Sequence, residues 1–237
     1  RTRKPSRGSG RREPVPARSL PARSCSPPAR QPRSPYGASR LKLLAFSDLH
    51  RDRRQAQRLA ELARGADVLI GAGDFATIRL GLERTLEPFI GLDIPAVLIP
   101  GNNESDSALW RACADWPSAR VLHGEEAEID GVQFFGLGGG VPVTPFPWSF
   151  DLKEEDAAVK LEHCPEGAVL VSHSPPKGHV DKAHGRHLGS DAVLRTIERK
   201  RPRLTVCGHI HQAWGEEATV AGTRVVNVGP EGRFFEL

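Results

Sequence analysis

Leu41-Lys42-Leu43-Leu44-Ala45-Phe46-Ser47-Asp48-Leu49-His50 is an apolar run that ends abruptly in a hydroxyl, a carboxylate and an imidazole. A run this short, bounded by polar residues, reads as a buried strand that delivers functional groups at its C-terminal end. The stretch after it, 52–64, spaces Ala56, Leu59, Ala60 and Ala63 along one helical face, with charges elsewhere. The unit then recurs. Asp67–Ala72 is apolar and ends in Gly73-Asp74, followed by a helix predicted near 78–90. Pro95–Ile99 ends in Pro100-Gly101-Asn102-Asn103, followed by a helix predicted over 106–115. Three strand, polar tip and helix units in succession indicate an α/β layered core.

The middle of the chain changes character. Short strands at about 119–122, 126–130 and 132–137 read as a meander turning at Asp130-Gly131. A loop rich in Gly, Pro and aromatic residues, 138–150, follows, and loops of that length are often functional. Next come a helix (152–162), a strand (168–172), a second loop (173–188), a helix (189–200) and a strand (203–207). A β-ribbon over about 217–235 closes the chain, and no internal repeat is visible.

The net charge of +4 over 237 residues averages two unlike regions. Residues 1–40 carry eleven Lys/Arg against the single acid Glu13, whereas residues 41–237 carry 22 basic against 28 acidic side chains. The first 40 residues also hold eight prolines and few apolar side chains, so they are predicted to be disordered. This basic segment reads as a targeting segment, as an arm for nucleic acid or anionic lipid, or as a plain extension. No apolar stretch approaches the ~18 residues of a membrane span. Cys25, Cys113, Cys164 and Cys207 show no CxxC spacing, which favours reduced thiols in a cytoplasmic protein over a disulfide framework.

Chemistry concentrates where the strands end. Five apolar runs terminate in metal-ligand residue types: Asp48 and His50, Asp74, Asn102, His173, and His209 with His211. In α/β sheets, ligands collect at the carboxyl ends of strands. A mixed nitrogen and oxygen set suits borderline divalent ions, with manganese the first choice and iron or zinc as alternatives. A lone carboxylate between two such ions holds them roughly 3.5–4 Å apart, and the pair activates a water and neutralises phosphate oxygens. Taken singly, a strand-end Asp is usually a cap and an Asn after Gly a turn residue; the conjunction of five tips carries the reading.

The series Asp48-x-His50, Gly73-Asp74, Gly101-Asn102, His173 and Gly208-His209-x-His211 resembles the calcineurin-like metallophosphoesterase superfamily. Ser172-His173-Ser174-Pro175-Pro176, His187-Leu188-Gly189-Ser190 and Asn227-Val228-Gly229 are similar to the small phosphoesterases related to Icc-type cyclic-nucleotide phosphodiesterases. The resemblance covers about 41–237 and implies a sandwich of two β-sheets flanked by helices. It also implies that Asp48, His50, Asp74 and His211 bind one metal, and that Asp74 bridges to a second held by Asn102, His173 and His209. Many members carry His after the metal-binding Asn, where it helps protonate the leaving oxygen; this chain has Asn103. An amide cannot act as a general acid, so Asn103 and, as a substitute acid, His187 are the candidate catalytic residues. The function this implies is two-metal hydrolysis of phosphate esters, as a phosphodiesterase on a small or nucleotide-like substrate, set against two alternatives. One is a nuclease using the basic segment; the other is a metal-binding scaffold without turnover.

Overall fold

The structure, a computed structural model, describes residues 40–237. What is predicted for the basic segment lies, apart from Arg40, outside the described residues. The elements in chain order are β1 (Lys42–Phe46), α1 (Arg53–Ala63), β2 (Val68–Gly71), α2 (Leu82–Leu86), β3 (Ala96–Leu98), α3 (Asp106–Ala112) and β4 (Ala119–Val121). They continue with β5 (Glu125–Ile129), β6 (Val132–Leu137), α4 (Glu154–Leu161), β7 (Val169–Ser172), β8 (Lys182–Ala183) and β9 (Arg186–His187). The last are α5 (Asp191–Lys200), β10 (Leu204–Cys207), β11 (Glu217–Val220), β12 (Thr223–Asn227) and β13 (Arg233–Glu236). Three of the helices start on a side-chain cap: Asp52 accepts from the Gln55 N–H, Ser105 from Ala108 and Ser190 from Val193.

Two sheets pack face to face. The first has strand order β13-β1-β2-β3-β4 and the second β11-β12-β10-β7-β6-β5. Alternation along each strand sorts its side chains into layers. Leu43, Ala45, Ile70 and Val97 meet Phe134, Val171, Val206 and Val226 between the sheets. On the outer face of the first sheet, Leu44, Phe46 and Leu69 are covered by Leu59, Leu86 and Leu109 of α1, α2 and α3. On the outer face of the second, Phe135, Leu170 and Val225 lie under Leu161, Val193 and Ile197 of α4 and α5. The central strands are thus buried on both faces, which is why they read as unbroken apolar runs. The predicted two-sheet sandwich flanked by helices is the observed architecture.

Four local expectations change. The three short strands after α3 are no meander: β4 pairs parallel to β3 in the first sheet, while β5 and β6 form a hairpin in the second. The closing ribbon also divides, with β11 and β12 in the second sheet and β13 returning antiparallel to β1. The helix expected near 78–90 shrinks to α2 plus a 3-10 turn over Glu87–Phe89, because Thr77 and Leu80 bridge as a turn, Gly81 is left-handed and Pro88 removes a donor. The loop 173–188 contains the two-residue hairpin β8-β9. Among the described residues no helix is long and apolar enough to cross a membrane.

Phe46 links the first sheet to its helices. Its ring stacks on Phe89 at 5.3 Å and meets Phe75 edge-on at 6.0 Å, with no solvent exposure. Phe46→Ala is expected to cost about 3–5 kcal/mol in urea denaturation, and a loss below about 1 kcal/mol would show that this layer repacks freely.

Candidate metal centre

The carboxyl ends of β1, β2, β3, β7 and β10 meet along one edge of the sandwich and bring all seven expected donors together. Two groups of atoms converge there. In the first, Asp48 Oδ1 lies 4.0 Å from His50 Nε2 and 3.8 Å from His211 Nε2, and those two nitrogens are 3.0 Å apart. In the second, Asn102 Oδ1 lies 3.2 Å from His173 Nε2 and 3.1 Å from His209 Nδ1. Asp74 stands between them, with Oδ2 3.6 Å from His50 Nε2 and Oδ1 3.5 Å from His173 Nε2. Nitrogens on one ion at about 2.1 Å and right angles sit about 3 Å apart, so the spacing fits a shared cation.

The rings and carboxylates are aimed by contacts behind them. His173 Nδ1 is 2.8 Å from the Ala72 carbonyl and His50 Nδ1 is 3.3 Å from the Ala76 carbonyl. A carbonyl only accepts, so each proton sits on Nδ1 and the Nε2 lone pair faces the site. Asp48 Oδ2 accepts from Ser47 Oγ at 2.6 Å and from Trp214 Nε1 at 3.1 Å, and the Trp214 ring packs on His211 at 4.3 Å. Asn102 Nδ2 donates to Ser149 Oγ at 3.0 Å, which in turn donates to Asp151 Oδ1 at 2.6 Å. That chain fixes the Asn102 amide so that its oxygen points inward, toward the His173 and His209 rings.

Glu104 is one of the residues that the sequence did not point to. It is 1% exposed and accepts N–H bonds from Asp74 (2.8 Å), Ala76 (2.9 Å) and Gly101 (2.7 Å), tying the tips of β2 and β3 together. Its only trace in the sequence is an acid directly after a Gly-Asn-Asn turn. Trp214, Ser149 and Asp151 were missed as well, because their roles depend on contacts 47 to 166 residues apart or on a local turn.

Close approach and strain mark the same edge. A Cβ at Gly101 would strike the Asp74 side chain, and one at Gly208 would strike Asp48 and Ser47. These glycines are needed for space. Asp48, His50, Asp74 and His209 all adopt left-handed backbone, with φ of 56, 44, 59 and 68°. Such residues persist only where their surroundings over-determine them, and they gather at functional sites.

Crowding of charge shows in the titration. Burial, then the nearby Asp48, pushes the Asp74 carboxyl up to about 7. Burial, then Asp74, pushes Glu104 up to about 7. Burial and the neighbouring imidazoles hold His209 well below its usual range, and burial is the main cause of the lowered His211. Carboxylates reluctant to ionise beside imidazoles reluctant to protonate are what a cation would relieve.

The two candidate catalytic residues sit differently from the donors. Asn103 is 5% exposed; its Nδ2 donates to Asp74 Oδ2 at 2.7 Å, its backbone N–H donates to Asp74 Oδ1 at 2.8 Å, and its Oδ1 accepts from the Ile78 N–H at 2.8 Å. His187, on β9, places Nδ1 2.6 Å from Asp181 Oδ1. Burial alone would raise the Asp181 carboxyl, but the His187 ring and the N–H groups of Gly178 and Gly189 outweigh it and hold it low. Of the loop histidines, His184 is the one that lines the cleft beside His209 and His211.

Residues 41–235 match the sequence profile of the calcineurin-like phosphoesterase superfamily domain. The chain belongs to that superfamily. It is 27% identical over 202 residues to a UPF0046 protein of Caenorhabditis elegans, covering 76% of this chain and 66% of that one. It is 31% identical over 135 residues to the human metallophosphoesterase domain-containing protein 1, covering 54% of this chain and 38% of the relative. The matches therefore span two thirds or less of these curated relatives. Among solved structures, TT1561 of Thermus thermophilus superposes with a TM-score of 0.66 at 18% identity, covering 81% of this chain and 91% of that one. A dimetal phosphatase of Danio rerio superposes with a TM-score of 0.54 at 11% identity, covering 80% and 88%. Family membership and the donor groups together mark a site for two divalent metal ions.

Protons compete with metal for Asp74. Its raised pKa means that the metal-free fold is favoured by protonation, a contribution present at low pH and lost as pH rises from 3.8 through about 7. The metal-induced rise in melting temperature, measured with added Mn²⁺, is therefore expected to be larger at about pH 8 than at about pH 6; an equal rise at both would mean that no buried carboxylate takes part. Ser149→Ala frees the Asn102 amide to turn. It is expected to weaken metal affinity by about 10–100-fold in a metal titration while leaving metal-free stability nearly unchanged.

Proposed function

We propose that this chain hydrolyses phosphate esters with two divalent ions, acting on a diester or another ester with a good leaving group. The observation that carries the proposal is the Asp74 carboxylate, which turns one oxygen toward each group of donors. In this reading Asp48, His50, Asp74 and His211 hold one ion, and Asp74, Asn102, His173 and His209 hold the other. Manganese is the first choice, with iron or zinc as alternatives. Two such ions supply a nucleophile at neutral pH and neutralise the phosphate oxygens.

The remaining work falls to the protein. Asn103 is a positioning residue that grips both Asp74 oxygens, rather than a group that reaches the substrate. His187 holds its loop against Asp181 through Nδ1, and it does not line the cleft beside His209 and His211. With no imidazole after the metal-binding Asn, the departing oxygen lacks a general acid there, a role often worth about 10²–10⁴-fold. Leaving groups that depart as stable anions are the ones this site serves. The convergence of all seven donors speaks against a scaffold without turnover, and the nuclease reading rests on the basic segment outside the described residues.

With Mn²⁺ present, a nitrophenyl diester is expected to be cleaved far faster than an alkyl monoester, and Asp74→Asn to lose both activity and metal. Across a series of substituted phenyl esters, the rate should fall steeply as the leaving phenol becomes more basic. A flat dependence, or a preference for alkyl monoesters, would require a proton donor and overturn the assignment.

A further inference from the structure

Beside the metal site lies a cleft of about 610 Å³, and His209 and His211 form part of its lining. The 138–150 loop lines it through Val143, Pro145 and Phe146, and Leu188, just after β9, lines it as well. Val143, Phe146 and Leu188 are 56%, 52% and 39% exposed, an unusual concentration of large apolar side chains left to water. Among the described residues no Lys, Arg, Asp or Glu lines the cleft; its polar groups include Thr144, His184 and Gln212. His184 and Gln212 hold each other, the His184 N–H donating to Gln212 Oε1 at 2.9 Å, with Gln212 Nε2 3.1 Å from the His184 ring.

The wall is fastened to the metal centre. The Phe150 N–H donates to the Asn102 carbonyl at 2.9 Å, Asp151 accepts from both the N–H and the hydroxyl of Thr144, and the Val141 N–H donates to Ser174 Oγ at 2.8 Å. Phe146 itself stacks on Trp148 at 5.4 Å, 17° from parallel. Trp148 and Phe150 of the same loop are not part of the lining; Phe150 packs on His123 at 5.3 Å. The cleft is held open in advance, and ligand pockets of this size are usually preformed and mostly apolar.

Building on the two-metal reading above, we propose that this cleft binds the organic substituent of the phosphate ester, and that the substituent is an uncharged aromatic ring. A phosphate held by the donors has His209 and His211 on the cleft side, so its substituent enters the cleft. The apolar walls favour a flat ring, the absence of charged side chains disfavours a charged group, and Gln212 with His184 offers hydrogen bonds at one edge. A simple aryl group and a nucleobase share this chemistry.

The test is calorimetric binding of phenylphosphonate and methylphosphonate to the Mn²⁺-loaded full chain, neither ligand being hydrolysed. Phenylphosphonate is expected to bind about tenfold or more tightly, and the double variant Phe146→Ala, Leu188→Ala to erase that gap while methylphosphonate binding stays the same. Both substituted residues are well exposed, so the core is untouched. Adenosine 5′-monophosphate binding more tightly than ribose 5-phosphate, with the gap again lost in the variant, assigns the ring to a nucleobase; the phenyl gap alone assigns a simple aryl group. Equal binding of the two phosphonates overturns the aromatic cleft and leaves the metal reading standing. Failure of both phosphonates to bind the metal-loaded protein overturns both readings.

Discussion

The structure turns on the burial of three carboxylates, Asp48, Asp74 and Glu104, at an edge where the two sheets' strand ends meet. All three are 2% exposed or less. An anion in such a place is costly unless paired or hydrogen-bonded. Glu104 is satisfied by backbone N–H groups, and its position obliges the tips of β2 and β3 to stay together. Asp48 is satisfied by Ser47, Trp214 and the His209 N–H. Asp74 receives bonds from Asn103 and stands beside the His50 and His173 rings, yet burial first and the nearby Asp48 second still push its carboxyl up. Left-handed backbone at four of the donors, and glycines where no Cβ fits, follow from forcing these groups into contact. The layers outside offset this strain: apolar strands buried on both faces, with helices over each sheet.

That division explains what could be read from the sequence. The donors were legible because an apolar run ending in Asp, Asn or His leaves a polar group where a strand stops, and five such stops coincide. Sheet membership was not legible. Arg120 pairs with Val97 and Glu126 pairs with Phe135, yet nothing in the alternation of either segment says which neighbour it takes. The hairpin β8-β9 is two residues a side, too short for any period to appear. The helix near 78–90 failed for local reasons, since Gly81 and Pro88 confine it to one end.

Support residues were harder to see than ligands. Asn103 invited a catalytic reading because it directly follows Asn102, but its contacts run back to Asp74 and Ile78. His187 drew attention through its sequence neighbours, yet its ring is committed to Asp181. Glu104, Ser149, Asp151 and Trp214 belong to the same class, being residues whose chemistry is ordinary and whose importance comes from the atom they hold in place. Spacing along a chain carries no record of such contacts.

Two independent features of the site bear on one conclusion about substrate. Asn103 removes a proton donor from the position beside the metal-binding amide, which favours departing groups that tolerate negative charge. The cleft next to His209 and His211 is mostly apolar and, among the described residues, lined by no Lys, Arg, Asp or Glu, which favours flat, uncharged rings. An aromatic oxygen, unlike an alkoxide, spreads its charge into the ring and leaves without prior protonation. If the ring in the cleft is the leaving group, the missing acid costs little, and the apolar wall both binds the substrate and selects the esters that the site can break. If it is the retained substituent, the cleft sets affinity alone and the second ester group must supply the good leaving group. In either case the Ser149 and Asp151 chain joins the wall of the cleft to the Asn102 amide, so the shape of the cleft and the geometry of the donors depend on one hydrogen-bonded network.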